Sequence, residues 1–276
     1  MDQQSFNSLS GIGSIQDLEE FKTQIFTRYY SERNMSFYST NTVSREDNPN
    51  FFAKWGKKNL DCDPNFKYDL NEHGFRSNPI AVDADICFYG CSYTFGTGVP
   101  IDRRWTNIVD KDGMCSNNFG LCGLSPSEIL QLFVATTRII KMKTAVLLLP
   151  DYARVLMPLV YKNNDIRYSF IFPQTVTDVT GSDPEQKRAA KLYYSFPEEF
   201  YIDTFKNSFN NAKYIAELKG IKLIVSTWSE NTKNILNSFA PEVDCLWFNQ
   251  IDKGRDDFHP GVHSHDVFGK MIGDRL

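Results

Sequence analysis

The chain has 276 residues, of which 41% are apolar and 23% charged, and its formal net charge is −4. That length and balance suit one large or two small folded domains with a sizeable core, and exclude a disordered chain. The mild acidity argues against a nucleic-acid groove, which needs clustered lysine and arginine, and no run of about 18 apolar residues suggests a membrane span.

The first ten residues, MDQQSFNSLS, are polar and lack the basic and apolar regions of a signal peptide. Gly11-Ile12-Gly13 follows no strand and is no nucleotide loop. Next, SIQDLEEFKTQIFTRYYSER has helical spacing, with Leu18, Phe21, Ile25 and Tyr29 on one face and Ser14 as N-cap. The chain is then aromatic and irregular to about residue 80. Residues 1–80 read as an N-terminal extension packing on a core domain of residues 81–276.

From Val82 a strand–helix rhythm begins. DICFYG, CSNNFG and TAVLLLP read as three strands. The helix SPSEILQLFVATTRIIKMK lies between the last two. Ser125 is its N-cap, Pro126 suits its first position and Glu128 completes a capping box. Residues 151–202 break the rhythm. They hold RYSFIFPQTVTDVTGSDPEQK, read as a strand pair with a loop, and then the short helix KRAAKLYYSF. This insertion would serve as a lid, or as a surface for an oligomer or assembly. The helix DTFKNSFNNAKYIAELKG is closed by Gly220. The strands IKLIVSTW and VDCLWF and the helix DVFGKMIGDRL complete the chain. Strands alternating with helices imply a parallel sheet covered on both faces. The six cysteines (Cys62, Cys87, Cys91, Cys115, Cys122 and Cys245) form no C-x-x-C pair and read as reduced thiols in a cytosolic setting.

The first of these strands runs into Gly90-Cys91-Ser92, with glycines again at Gly96 and Gly98. Active sites of open parallel sheets collect beyond the carboxyl ends of the strands. A serine there can act as a nucleophile, given a base and a group that orients the base. Three of the four histidines lie in GRDDFHPGVHSHDVF, where Asp256 precedes His259 by three residues. That spacing can return the carboxylate onto the imidazole, with the other nitrogen facing Ser92. Asp257 is the alternative orienter. His259, His263 and His265 also have ligand-like spacing for a metal, but no cysteine cluster accompanies them. His73 reads as a loop residue.

These residues resemble the SGNH (GDSL-like) hydrolases. The first block of that family, G-D-S-x-T-x-G, corresponds to Gly90-Cys91-Ser92-Tyr93-Thr94-Phe95-Gly96. The second, N-x-G-x-x-G, corresponds to Asn118 through Gly123. The last, D-x-x-H-P with a second histidine six residues on, corresponds to Asp256 through Pro260 and His265. An N-x-x-G-F-R phrase before the first strand matches Asn71 through Arg76. The resemblance implies a flavodoxin-like three-layer α/β/α sandwich with a mostly parallel five-stranded sheet. It implies hydrolysis of a small-molecule or glycan ester, often deacetylation. Ser92 would be the nucleophile, His259 the base and acid, and Asp256 the orienter. The Ser92 and Gly123 backbone N–H groups would line the oxyanion hole. His265 would be structural, and no cofactor or metal would be needed.

Two positions depart from the pattern. Cys91 replaces the aspartate of the first block. Pro150 stands where the third block supplies an asparagine, with Asp151 after it. Proline has no N–H and no side-chain donor, and loss of one oxyanion donor costs about 2.7–4 kcal/mol of transition-state stabilisation. Arg154 is the candidate substitute donor. The departures keep two rival readings open. One is a catalytically weak or inactive SGNH-fold protein that is structural or binds glycans, for example in a phage particle. The other is an acyltransferase using the same triad. A cytoplasmic or virion-associated place, with neither nucleic acid nor membrane as partner, fits all three.

Overall fold

The computed structural model describes residues 68, 70–71, 75–110, 113–160, 166–171, 184–254 and 258–276. The expected N-terminal helix beginning at Ser14 lies outside them, as does His73. Five parallel strands form the main sheet, β1 (Asp83–Gly90), β2 (Ser116–Gly120), β3 (Lys141–Leu149), β6 (Lys222–Thr227) and β7 (Leu246–Trp247), in the order β2-β1-β3-β6-β7. This is the flavodoxin-like order, in which the chain steps to one side of β1 and then returns to the other. The switch point therefore falls between β1 and β3, directly beyond Gly90.

Strand alternation builds two cores. Ile86, Phe88, Val146, Leu148 and Ile224 point to one face, against Trp105 of α2 (Trp105–Val109) and Phe268 and Ile272 of α7 (Val262–Gly273). Cys87, Tyr89, Ala145, Leu147, Leu149 and Val225 point to the other, against α3 (Pro126–Thr136), α5 (Glu198–Lys219) and α6 (Glu230–Phe239). The molecule is thus an α/β/α sandwich. Aromatic pairs fill both layers, Phe88–Trp105–Phe268 on the first and Phe75–Phe119–Tyr89–Phe133 on the second, with ring centroids 5.0–5.5 Å apart.

The capping box of α3 forms as expected, Ser125 Oγ accepting from the Glu128 N–H while the Glu128 carboxylate accepts from the Ser125 N–H. Gly220 ends α5 in the left-handed conformation. In the insertion, the strand pair begins earlier than its sequence suggested. Val155–Val160 (β4) pairs antiparallel with Ile166–Ile171 (β5), followed by α4 (Pro184–Ser195). Strand β4 tolerates Pro158 because it has a single partner in a two-stranded sheet, where a missing N–H is permitted. Helix α5 starts at Glu198, five residues before the expected Asp203, because Pro197 precedes two acidic residues suited to a helix N-terminus. Helix α6 went unforeseen, although Ser229 caps it and Ile235, Leu236 and Phe239 give it an apolar stripe. No helix among the described residues is long and apolar enough to cross a membrane.

Between β1 and α2 lies α1 (Ser92–Phe95), a single turn seated on the ends of β1 and β2. A Cβ on Gly90 would meet Thr94 Oγ1 at 2.0 Å, and one on Gly120 would meet Phe95 N at 2.5 Å and Thr94 C at 2.6 Å. The Gly120 clash is with backbone, which cannot turn aside. Gly120→Ala is therefore expected to destabilise the fold by about 1–3 kcal/mol, read as a lowered denaturant midpoint with an unchanged slope.

Candidate active site

Ser92 is the first residue of α1 and is nearly buried. Its carbonyl accepts from the Gly96 and Thr97 N–H groups at 2.9 and 3.0 Å, which closes the turn behind it. Two buried arginines hold that turn from below. Arg76 donates to the carbonyls of Gly96 at 2.5 Å and Val99 at 2.9 Å, and Arg104 donates to Phe95 at 3.3 Å and to the carbonyl of Arg76. The Arg104 guanidinium also grips Asn107 Oδ1. Carbonyl oxygens thus compensate the burial of two charges. Arg76 lies over the Tyr68 ring at 4.6 Å, and the Tyr68 hydroxyl accepts from the Gly98 N–H at 2.9 Å. The G-F-R phrase therefore works as a clamp: Phe75 enters the core and Arg76 pins the Ser92 turn.

The second block supplies another clasp. Asn118 is buried and donates to the Thr94 carbonyl and Thr106 Oγ1, both at 3.0 Å, while its Oδ1 accepts from the Gly120 N–H at 2.7 Å. Gly123 follows in the left-handed region at φ 82°. Neither the Ser92 nor the Gly123 backbone N–H donates a hydrogen bond among the described residues.

The segment carrying His259 closes on the same turn. Lys253 and Pro260 form a bridge, the Gly254 N–H donates to the His259 carbonyl at 2.7 Å, and the Gly261 N–H donates to the Asp252 carbonyl at 3.1 Å. A Cβ on Gly254 would meet the Gly98 carbonyl oxygen at 2.9 Å, so the neck of this loop rests directly on the loop after α1. The His259 ring lies edge-on to Tyr93, the residue after Ser92, with centroids 5.9 Å apart. Tyr93 in turn stacks on Trp228 at 5.1 Å and packs against Phe248 at 5.3 Å. Ser92 Oγ bonds Cys91 Sγ at 4.0 Å and makes no bond to His259 among the described residues. Nucleophile–base bonds often tighten only when substrate binds. Asp256 and Asp257, the candidate orienters, lie outside the described residues.

Cys91 is a buried core thiol. Asp151 is a structural carboxylate, accepting from Ser229 Oγ at 2.7 Å and the Ala153 N–H at 3.0 Å, while the Pro150 carbonyl accepts from Thr232 Oγ1. The third block thus ties β3 to the N-terminus of α6. The Arg154 guanidinium lies over Trp228, 5.6 Å from the ring centroid, and so joins the aromatic row. Sequence reasoning missed Trp228, although an aromatic just past the carboxyl end of a strand was a usable signal. It also missed Arg104 and Gln250, for which no local pattern exists. Five described cysteines are free, and burial pushes Cys87 up to about 12 and Cys245 up to about 11.

His265 is fully buried on α7, and its Nδ1 accepts from the Trp105 N–H, the first of α2, at 3.2 Å. With that lone pair engaged and His263 on the exposed side of the helix, the three histidines do not converge as metal ligands. Desolvation, assisted by the Arg104 and Arg76 charges, pushes His265 down to about 3 from the ordinary 6.5. Beside it Asp252 caps α7, accepting from the His263 and Ser264 N–H groups and the Ser264 hydroxyl.

No protein-family model matches this chain, and no curated protein matches its sequence. Among solved structures it is similar to a carbohydrate esterase at 12% identity, over 72% of this chain and 67% of that one, with a TM-score of 0.45. A lipolytic G-D-S-L family member from Veillonella parvula gives 15% identity, 70% and 100% coverage, and a TM-score of 0.39. A GDSL-like lipase from Bacteroides thetaiotaomicron gives 12%, 70% and 87%, and 0.38. These likenesses are distant, and the chemistry of the site rests on its own residues.

The buried neutral His265 makes a pH prediction. The unfolded histidine takes up a proton below pH 6.5 and the folded one does not until about 3. Its contribution is therefore whole above pH 6.5 and is lost as pH falls toward the folded value. Asparagine keeps an acceptor near Nδ1 but does not titrate. His265→Asn is expected to lower stability at neutral pH and to remove about 1–2 kcal/mol of the loss seen between pH 6.5 and about pH 5, measured by denaturant unfolding at each pH.

Proposed function

We propose that this chain is a serine ester hydrolase of the SGNH type, acting on an acetyl ester of a carbohydrate. One observation carries the reading: the loop neck bearing His259 rests on the loop that follows Ser92, at the switch point of a flavodoxin-like sheet. The Ser92 and Gly123 backbone N–H groups, which donate to no partner among the described residues, support it, since an oxyanion hole needs preorganised donors.

In the proposed course, Ser92 Oγ attacks the ester carbonyl carbon while His259 takes the hydroxyl proton. The oxyanion accepts from the Ser92 and Gly123 N–H groups. As the tetrahedral intermediate collapses, the carbon–oxygen bond to the alcohol breaks and His259 returns the proton to that oxygen. Water then attacks the acyl-enzyme, giving its proton to His259, and Ser92 leaves with that proton restored. Asp256 orients the imidazole and stabilises its charged form. Arg154 supplies positive charge on the aromatic row in place of the absent asparagine. The sugar assignment is supported by Tyr93, Trp228 and the exposed Phe258 around the site, since the C–H faces of sugar rings lie well against aromatic faces.

Pro150 favours a second reading, in which the fold binds an acetylated glycan without turning it over. Acyl transfer would use the same residues with another hydroxyl in place of water. Acetate release from acetylated oligosaccharide separates these. The hydrolase releases free acetate, and Ser92→Ala reduces release by at least about 10³-fold with the melting temperature unchanged. Acetate release equal in Ser92→Ala and wild type would remove the assignment, and binding without release would favour the second reading.

A further inference from the structure

Tyr93 directly follows Ser92, and Phe258 directly precedes His259. One side chain joins them. Gln250 Oε1 accepts from the Tyr93 hydroxyl at 3.3 Å, and its Nε2 donates to the Phe258 carbonyl at 3.0 Å. We propose that Gln250 is a positioning residue, a brace that sets the His259 imidazole against the Ser92 segment through Tyr93. The inference rests on the hydrolase reading and deepens it.

The geometry suits such a role. The Tyr93 ring is held between Trp228 and Phe248 and forms a rigid post. Around the imidazole stand Tyr93 and Phe258, both edge-on, at 5.9 and 5.1 Å. The neck of the His259 loop is fixed at Gly254 and Pro260, at the level of the backbone. Gln250 adds a tie at the other side of His259, from the residue before it to the tip of the post. A carboxamide offers one acceptor and one donor in a single plane, which this pair of partners needs. An ionised glutamate lacks the donor, and methionine lacks effective forms of both. Gln250 is exposed, so its loss leaves no buried group unsatisfied. The effect belongs to rate, because a base displaced by about 1 Å can cost about 10²-fold.

Steady-state hydrolysis of p-nitrophenyl acetate by the full chain tests this, with thermal melting in parallel. Gln250→Met is expected to lower kcat roughly tenfold, with KM and melting temperature near wild type. Tyr93→Phe cuts the same link, so the double variant should be no slower than the slower single one. Gln250→Glu places a carboxylate near His259, and the acidic limb of the kcat/KM profile should move to higher pH. A residue serving stability alone would lower the melting temperature and leave kcat near wild type. Wild-type kcat in Gln250→Met, or independent multiplying effects of the two single variants, overturns the brace while leaving the hydrolase standing. Wild-type turnover that survives Ser92→Ala, or no wild-type turnover at all, overturns the hydrolase reading and the brace with it.

Discussion

Everything at the candidate site depends on one steric constraint, the seating of the single-turn helix Ser92–Phe95 on the ends of β1 and β2. Only hydrogen fits at Gly90, where Thr94 crowds in, and at Gly120, where the helix backbone passes. The turn that results is short, and a helix of four residues has little stability of its own. Its order comes from outside. Arg76 and Arg104 bind its terminal carbonyls, Asn118 binds its Thr94 carbonyl, and the neck at Gly254 presses on the loop beyond it. Four separate stretches of chain thus agree on where Ser92 sits. That redundancy is what a site on a loop requires if it is to be as precise as one on a strand.

The same arrangement explains how buried charge is tolerated here. Two guanidiniums and a fully buried imidazole lie under the site. Both guanidiniums donate to carbonyl oxygens at the carboxyl end of α1, where the helix dipole is negative. The imidazole stays neutral because burial and those two charges both oppose its protonation. It can therefore accept the first N–H of α2, which joins α7 to α2, and Gly269 lets these helices approach to contact. The floor of the site is consequently pH-sensitive in one direction only, losing stability as the solution turns acidic.

Much of this was legible in the sequence. Apolar runs ended by Gly90 and Gly120 placed β1 and β2, and Ser125, Pro126 and Glu128 placed the start of α3. Alternating strands and helices gave the class, because only a parallel sheet covered on both faces accommodates them. The short motifs also pointed to Ser92, Gly123 and His259 as candidates, with Ser92 just beyond the carboxyl end of β1. What escaped was non-local or weakly patterned. Strand β4 contains Pro158, which is permitted only because β4 lies in a two-stranded sheet. Helix α6 is short and polar, and it is held by Ser229 and Asp151 from the end of a different strand. The roles of Arg76, Arg104 and Gln250 depend on partners 8 to 157 residues away along the chain or through it, which no local pattern encodes. Asp151 aligned with a motif position but ties β3 to the N-terminus of α6, accepting from Ser229 Oγ and the Ala153 N–H.

The most direct test of the central claim is reaction of the folded chain with a fluorophosphonate, followed by intact mass and peptide mapping. An assembled nucleophile and base predict a single adduct on Ser92, lost in His259→Ala, since a serine without its base reacts poorly with phosphorus electrophiles. A folded protein that stays unlabelled, or one labelled equally well without His259, would contradict the account and leave Ser92 as the residue that closes a turn.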